Sequence, residues 1–68
     1  MKRWQELITD TSLENLRDKM RARYYCEALD LAPMPEGHWL VVNKMTVAPD
    51  MRVVERAGRY YFEIATTV

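Results

Sequence analysis

Residues 51–66 have the sequence MRVVERAGRYYFEIAT, and this stretch decides the fold that we predict. Two runs rich in β-branched and aromatic residues, Met51–Arg56 and Arg59–Thr66, flank the dipeptide Ala57-Gly58. Such runs on both sides of a glycine-containing break are typical of a β-hairpin. The stretch therefore predicts two antiparallel strands that are joined at Ala57-Gly58.

The register of this hairpin follows from which side chains would meet across it. A two-residue loop pairs apolar with apolar residues and arginine with glutamate: Val53 with Phe62, Met51 with Ile64, Val54 with Tyr61 and Arg52 with Glu63. A three-residue loop would place Arg52 beside Phe62. Turn preferences favour the longer loop, because Ala-Gly is not a preferred two-residue pair. We predict the two-residue register, because a slip by one residue would turn the apolar set toward water.

A third strand is expected before the hairpin. His38–Asn43 has strand-like composition and is predicted as a strand, with Val47 as its furthest limit. The tripeptide 48–50, Ala-Pro-Asp, is the predicted turn into the hairpin. Pro33–Gly37 is a stiff connector, since too little chain lies on either side of it for two domains. These three strands would form an antiparallel meander.

The N-terminal half has helical patterning. Thr11 and Glu14 have the spacing of a capping box, and a long helix is predicted from Ser12 to Leu31, ending before Pro33. Its predicted core face falls within about 60° of one direction and consists of Leu13, Leu16, Met20, Tyr24, Ala28 and Leu31.

A short helix is predicted over Lys2–Thr9, with Trp4, Leu7 and Ile8 on one face. The predicted fold is therefore one α+β domain over residues 1–68. It consists of a short N-terminal helix and one long helix packed on a three-stranded antiparallel β-meander.

Composition narrows the class of protein. Cys26 is the single cysteine, which excludes a disulfide within the chain and fits a reducing compartment. The first residues lack the apolar region of a signal peptide, and no apolar run approaches the roughly 20 residues that span a bilayer. Ten basic residues balance ten acidic ones, which lowers the expectation of nucleic-acid binding. We expect a cytoplasmic protein without a membrane partner.

The sequence offers little for catalysis. His38 and Cys26 are the single imidazole and thiol, and neither has a neighbouring nucleophile, base or metal-ligand spacing. Two glycines, Gly37 and Gly58, exclude a glycine-rich phosphate loop. We therefore expect no enzyme activity, no cofactor, no metal and no small-molecule substrate.

Three surfaces are candidates for binding a partner. The first is the outer side of the long helix near its end, where the apolar residues are Ala22, Tyr25, Cys26 and Leu29. The N-terminal helix covering this side is an alternative that the sequence leaves open. The second is the sheet face away from the helix, with Val54 and Tyr61 surrounded by Arg52, Arg56, Arg59 and Glu63. The third is His38–Asn43, as an edge strand that accepts a partner strand.

DNA binding is the competing hypothesis. Arginines on the long helix and at the hairpin tip have the outline of a winged-helix protein, and the segment Gly58-Arg59-Tyr60-Tyr61 resembles the wing of phage excisionases. The resemblance covers about a dozen residues and implies duplex binding by the main helix and the hairpin. Glu14, Asp18 and Glu27 on the same helix would repel phosphate.

The sequence favours a non-catalytic protein-binding module. Such a module would act as a homodimer, or as a small regulatory protein, inhibitor or adaptor on a larger protein. Phage and mobile-element regulators of similar size are an analogy for this role and not a derivation.

Overall fold

The computed structural model describes residues 1–67. It contains one helix and five strands, with the bounds β1 Lys2–Asp10, α1 Leu13–Tyr24, β2 Leu29–Met34, β3 His38–Asn43, β4 Thr46–Arg56 and β5 Arg59–Thr67. Every neighbouring pair of strands is antiparallel, and the strand order is β1-β5-β4-β3-β2. Helix α1 packs on one face of this sheet. The α+β class therefore holds coarsely, but the predicted three-stranded meander with two helices is wrong.

The hairpin of β4 and β5 has the predicted register. Val53 lies opposite Phe62, and Arg52 lies opposite Glu63. Ala57 and Gly58 form the two-residue turn with φ angles of 52° and 78°. Positive φ at both positions characterises the turn that matches the twist of a hairpin. Pairing of side chains across the strands thus outweighs the weak turn preference of Ala-Gly.

The predicted N-terminal helix is wrong, because Lys2–Asp10 forms β1 and pairs with β5. The register of this pair shifts between Glu6 and Ile8, where a bulge adds one residue to β1. A bulge changes which residues share a face. It places Trp4 and Ile8 on opposite faces, although their spacing in sequence is that of one helical side. The bulge therefore interrupts the two-residue alternation by which a strand is recognised in a sequence.

The long helix predicted from Ser12 to Leu31 ends at Tyr24. Tyr25 follows it with a left-handed backbone (φ 50°), and the Cys26 N–H donates to the Arg21 carbonyl over 3.0 Å. This is a common helix-terminating geometry, although glycine usually occupies that position. The chain then enters β2, in which Leu29 faces the core and Pro33 lies on an edge strand. An edge tolerates proline because no ladder hydrogen bond is lost there.

Two further predictions also differ from the structure: the cap at the start of the helix and the turn that precedes the hairpin. The helix is capped by Ser12 and not by a Thr11–Glu14 box: the Asn15 N–H donates to Ser12 Oγ over 3.2 Å. The predicted turn at residues 48–50 lies inside β4, where the register against β3 shifts. The actual turn is Lys44-Met45, with φ angles of 49° and 73°. Neither residue favours positive φ, so no sequence rule indicates this turn.

The core lies between α1 and the sheet. Its buried residues are Leu16, Met20, Leu29, Val41, Val53 and Phe62. The rings of Tyr24 and Phe62 meet edge to face with their centres 6.0 Å apart, and those of Trp39 and Tyr60 do so with their centres 5.4 Å apart. Leu16, Met20 and Tyr24 belong to the predicted helical stripe, whereas Ala28 lies beyond the helix and Leu31 lies in β2. Within residues 1–67 no helix is long and apolar enough to cross a membrane.

The first prediction concerns Leu29, which is only 5% exposed. Leu29→Asp buries a charge in the core and should lower the free energy of unfolding by more than about 3 kcal/mol. A domain of this size has roughly that much stability in total, so the variant should be unfolded. Circular dichroism and urea titration measure this. Ala28→Asp, at the exposed preceding residue, should keep the fold; equal stability of the two variants would contradict the core position of Leu29.

The second prediction concerns Asp10, which joins β1 to α1. Its carboxylate accepts the Ser12 N–H over 2.9 Å and pairs with Lys19 Nζ at 2.8 Å. The Lys19 ammonium and the Ser12 amide hold the pKa of Asp10 below its usual value. This carboxylate therefore stabilises the fold above about pH 4, and the contribution is lost as pH falls through the lower pKa of the folded state.

Asp10→Asn removes this titration. The variant should be less stable than the natural chain at pH 7, and the difference should shrink on acidification below about pH 4. Thermal unfolding at a series of pH values measures this. Asp18→Asn, at an exposed carboxylate on α1, is the matched control and should preserve the difference between neutral and acid stability. A constant gap between Asp10→Asn and the natural chain at every pH would contradict the assignment.

Candidate functional site

The sheet face opposite α1 is the main candidate surface. Side chains alternate along a strand, so the neighbours of the core residues Val53 and Phe62 point away from the helix. Two rows of directly opposed residues cross this face. The first row is Met34, His38, Val54, Tyr61 and Thr9, and the second row is Ala32, Leu40, Arg52, Glu63 and Glu6. We call these rows, together with Trp4, Arg56 and Arg59 beside them, the open face.

A buried carboxylate organises the centre of the open face. Glu63 is only 5% exposed. Each of its carboxylate oxygens pairs with one arginine: Oε1 lies 2.8 Å from Arg52 Nε, and Oε2 lies 3.2 Å from Arg56 Nη1. Burial of an unpaired carboxylate is costly, and two charge-assisted hydrogen bonds offset that cost. The cluster therefore fixes both guanidinium groups in place.

Aromatic rings hold the same two arginines from the other side. The Arg52 guanidinium carbon lies 4.0 Å from the centre of the Trp4 ring, and the Arg56 guanidinium carbon lies 5.6 Å from that of Tyr61. A guanidinium over an aromatic face is attracted by the ring quadrupole. Because Trp4 belongs to β1 and Arg52 to β4, this contact exists only when β1 is a strand of the sheet. The arrangement is a layered cluster of ring, guanidinium and carboxylate.

Arg59 has a separate partner. It lies opposite Arg56 at the hairpin tip, and its Nε donates to Thr9 Oγ1 over 3.0 Å. Thr9 Oγ1 in turn donates to the Tyr60 carbonyl over 2.9 Å. The three predicted arginines thus lie on one face, as the hairpin register requires. Arg52 and Arg56 share Glu63, and Arg59 extends toward β1.

The open face is slightly concave. A shallow depression of about 460 Å³ lies over it, with Trp4, His38, Leu40, Val54 and Arg52 among its lining residues. Trp4, Leu40 and Val54 are half-buried, so apolar surface alternates with the charged cluster. This shape and composition suit contact with another macromolecule more than enclosure of a small molecule.

The first surface predicted from the sequence is only partly assembled. Ala22, Tyr25 and Cys26 line one depression with Arg21 and Glu27, at the C-terminal end of α1. Leu29 is absent from it, because this residue lies in the core. Tyr25 is 96% exposed. Its backbone is left-handed, a conformation that glycine adopts with less strain. Tyr25 therefore combines an exposed aromatic ring with a strained backbone on this surface.

The third predicted surface is not an edge. β3, which is His38–Asn43, lies between β2 and β4 and pairs with both of them. Its backbone groups are therefore engaged on both sides, and strand addition at β3 is excluded by the sheet order. The two edges of the sheet are β1 and β2.

Seven residues of the open face were not predicted from the sequence; Trp4, His38 and Leu40 are the most informative of them, and the others are Glu6, Thr9, Ala32 and Met34. Trp4 was assigned to a helix, and no apolar alternation in β1 indicates its true position. His38 and Leu40 are different: they alternate with Trp39 and Val41 within a strand that the sequence did predict. Extending the alternation of the hairpin to that strand would have placed His38 and Leu40 on this face.

The two residues considered for chemistry lie on different sides of the sheet. Cys26 packs against the core near the end of α1, whereas His38 begins β3 on the open face. They therefore do not form a thiol–imidazole pair. Among residues 1–67, no group of three or more His, Cys, Asp or Glu side chains is arranged to hold a metal ion.

Comparison with known proteins gives no relative: no protein-family model, no curated protein and no solved structure matches the chain. The candidate site therefore rests on its own geometry.

The third prediction tests the charged cluster. Glu63→Gln leaves Arg52 and Arg56 without an anion, and should lower the free energy of unfolding by about 1–3 kcal/mol, since both arginines are partly exposed to water. Urea denaturation measures this. Glu6→Gln is the matched control, because Glu6 is exposed and lies directly opposite Glu63; its effect should stay within about 0.5 kcal/mol. Equal losses would show that the cluster adds nothing specific.

Proposed function

We propose that this chain is a non-catalytic protein-binding module, a small regulator, inhibitor or adaptor that contacts another protein through the open face. The observation that carries the proposal is the fixed cluster of Trp4, Arg52 and Glu63 on a sheet face that no other element of residues 1–67 covers.

The residue types of the open face support this proposal. Tryptophan, tyrosine and arginine dominate the strongest contacts of protein interfaces. Here Trp4, Tyr61, Arg52 and Arg56 stand within one connected cluster. Its arginines are held by Glu63 before any partner arrives, so less side-chain freedom is lost on binding. A partner of this face would present apolar groups to Val54 and Leu40, with carboxylates near the arginines.

A sheet face that only meets water has a different composition. Solvated faces of antiparallel sheets usually carry polar residues at alternate positions. In the first row of the open face Met34, Val54 and Tyr61 are apolar or aromatic. The surface therefore keeps apolar groups at positions where water would favour polar ones, which supports a binding role.

The open face is less suited to a nucleic acid. Glu6 and Glu63 lie in the same row as Arg52, and carboxylates repel phosphate. The winged-helix architecture considered from the sequence also needs two helices, one of them for recognition, whereas residues 1–67 contain one helix whose Leu16 and Met20 are buried against the sheet. A protein partner is therefore favoured over DNA.

The fourth prediction tests the open face with surface variants of unchanged fold. Val54→Lys places a charge at its centre, Asn15→Lys places the same charge on the exposed side of α1, and Tyr25→Asn removes the exposed ring while keeping a residue that tolerates positive φ. Each purified chain is immobilised, and proteins retained from the producing cells are quantified by mass spectrometry. Circular dichroism confirms that each variant is folded.

We expect a protein that the natural chain retains to be lost with Val54→Lys and kept with Asn15→Lys. Direct titration of that protein should then show a dissociation constant at least tenfold higher for Val54→Lys, which is a loss of about 1.4 kcal/mol of binding free energy. Loss with Tyr25→Asn alone would move the contact to the end of α1. Retention by all three variants, or a salt-sensitive complex of the natural chain with duplex DNA, would refute the proposal.

A further inference from the structure

The two edges of the sheet differ in how their backbone groups are occupied. At β2, the Leu29 N–H donates to the Cys26 carbonyl over 3.4 Å, and the Leu29 carbonyl accepts from Arg21 Nε at 2.7 Å. The Leu31 N–H donates to Asp30 Oδ1 over 2.8 Å, and Pro33 has no N–H. Backbone groups of alternate residues point outward from an edge strand, so Leu29, Leu31 and Pro33 form the outward set. No outward donor of β2 is left for a partner strand.

The β1 edge lacks such protection. Among residues 1–67, no side chain and no loop is hydrogen-bonded to the backbone of Lys2–Glu6 on the side away from β5. An edge of this kind is a template for another strand. The bulge between Glu6 and Ile8 bends the strand after Glu6, so the regular segment that a partner could pair with is Lys2–Glu6.

This segment is complementary to itself when paired antiparallel about its middle residue. Trp4 then lies opposite Trp4 of a second copy, Arg3 lies opposite Gln5, and Lys2 lies opposite Glu6 on both sides of the centre. Lys2, Trp4 and Glu6 all lie on the open face, since their partners in β5 are Thr67, Ala65 and Glu63. Two ion pairs therefore flank a tryptophan pair on one surface. The next registers that keep the same faces aligned lose both ion pairs. A shift of two residues in one direction places Arg3 opposite Arg3, and a shift in the other direction places Trp4 opposite Glu6.

Glu6 provides a second observation. It lies directly opposite the carboxylate of Glu63, and within residues 1–67 no lysine or arginine pairs with it. Like charges opposite each other on adjacent strands are destabilising. The Lys2 of a second copy would stand on the other side of Glu6 and would offset this repulsion. In the single chain Lys2 pairs with Asp50 at 3.1 Å, an exposed contact that is worth little.

We propose that a second copy of this chain binds at the β1 edge, by antiparallel pairing of Lys2–Glu6 about a twofold axis at Trp4. The two sheets become one sheet of ten strands, with both α1 helices on the same side and both open faces continuous. The β2 edges remain blocked, so the assembly closes at two chains and does not grow into a filament. The short segment makes this a weak dimer. The proposal does not depend on the partner of the open face.

Charge reversal tests the pairing and its register together. Glu6→Lys and Lys2→Glu each place like charges opposite each other at both ends of the paired segment. Each should raise the dissociation constant of the dimer at least tenfold. The double variant Lys2→Glu/Glu6→Lys restores both ion pairs and should return the constant to within about threefold of the natural value. Sedimentation velocity over a concentration series from micromolar to millimolar measures all four chains.

Two controls separate this result from unfolding. In Glu6→Lys the new lysine faces Glu63 within its own chain, so the thermal stability of the monomer should be kept. Glu27→Lys makes the same charge change in the exposed segment before β2, at the other edge, and should dimerise like the natural chain. A natural chain that stays monomeric at millimolar concentration overturns the proposal. So does an unaltered dimer in the single variants, or a double variant as weak as the single ones.

Discussion

The pairing of β1 with β5 is the contact on which the rest of the structure depends. It places the start of the chain at one edge of the sheet, while β2 forms the other edge. β1 and β2 point in the same direction, so α1 must return along the sheet between them and cross its face. One short helix thereby covers the core residues of the central strands. Without β1, Phe62 would lie in an edge strand and Trp4 would have no place on the sheet.

The same pairing sets the chemistry of the uncovered face. It brings Trp4 over Arg52, and it lines up Glu6 with Glu63. Glu63 is buried because β1 closes the row on one side and the two arginines close it on the other. A carboxylate with this burial is stable only with full compensation, and removal of one partner costs more than the pair contributes. The open face is therefore rigid at its centre, and its arginines are not interchangeable with ordinary surface charges.

Structure could be predicted where several residue pairs require the same alignment, and it could not be predicted where single residues depart from their usual preferences. The register of β4 and β5 could be predicted because Val53–Phe62 and Arg52–Glu63 each test the same alignment. β1 could not be predicted, because its bulge interrupts the alternation of a strand and because Trp4, Leu7 and Ile8 have the i, i+3, i+4 spacing of a helix. The end of α1 could not either: Tyr25 continues an apolar pattern, and its left-handed backbone is one that sequence preferences assign to glycine. For the open face, the sequence predicted the residues of the hairpin but not those that β1 contributes, which include Trp4.

Topology also explains most of the unusual backbone geometry. Five strands in a chain this short leave two-residue turns at Lys44-Met45 and at Ala57-Gly58, and both turns require positive φ. The strain at Lys44, Met45 and Ala57 is the consequence of short connections, and the strand ladders on both sides offset it. Tyr25 is a different case, because the segment between α1 and β2 is not a tight hairpin. Its strain follows from where α1 ends, and its ring is 96% exposed, so packing within residues 1–67 does not offset that strain.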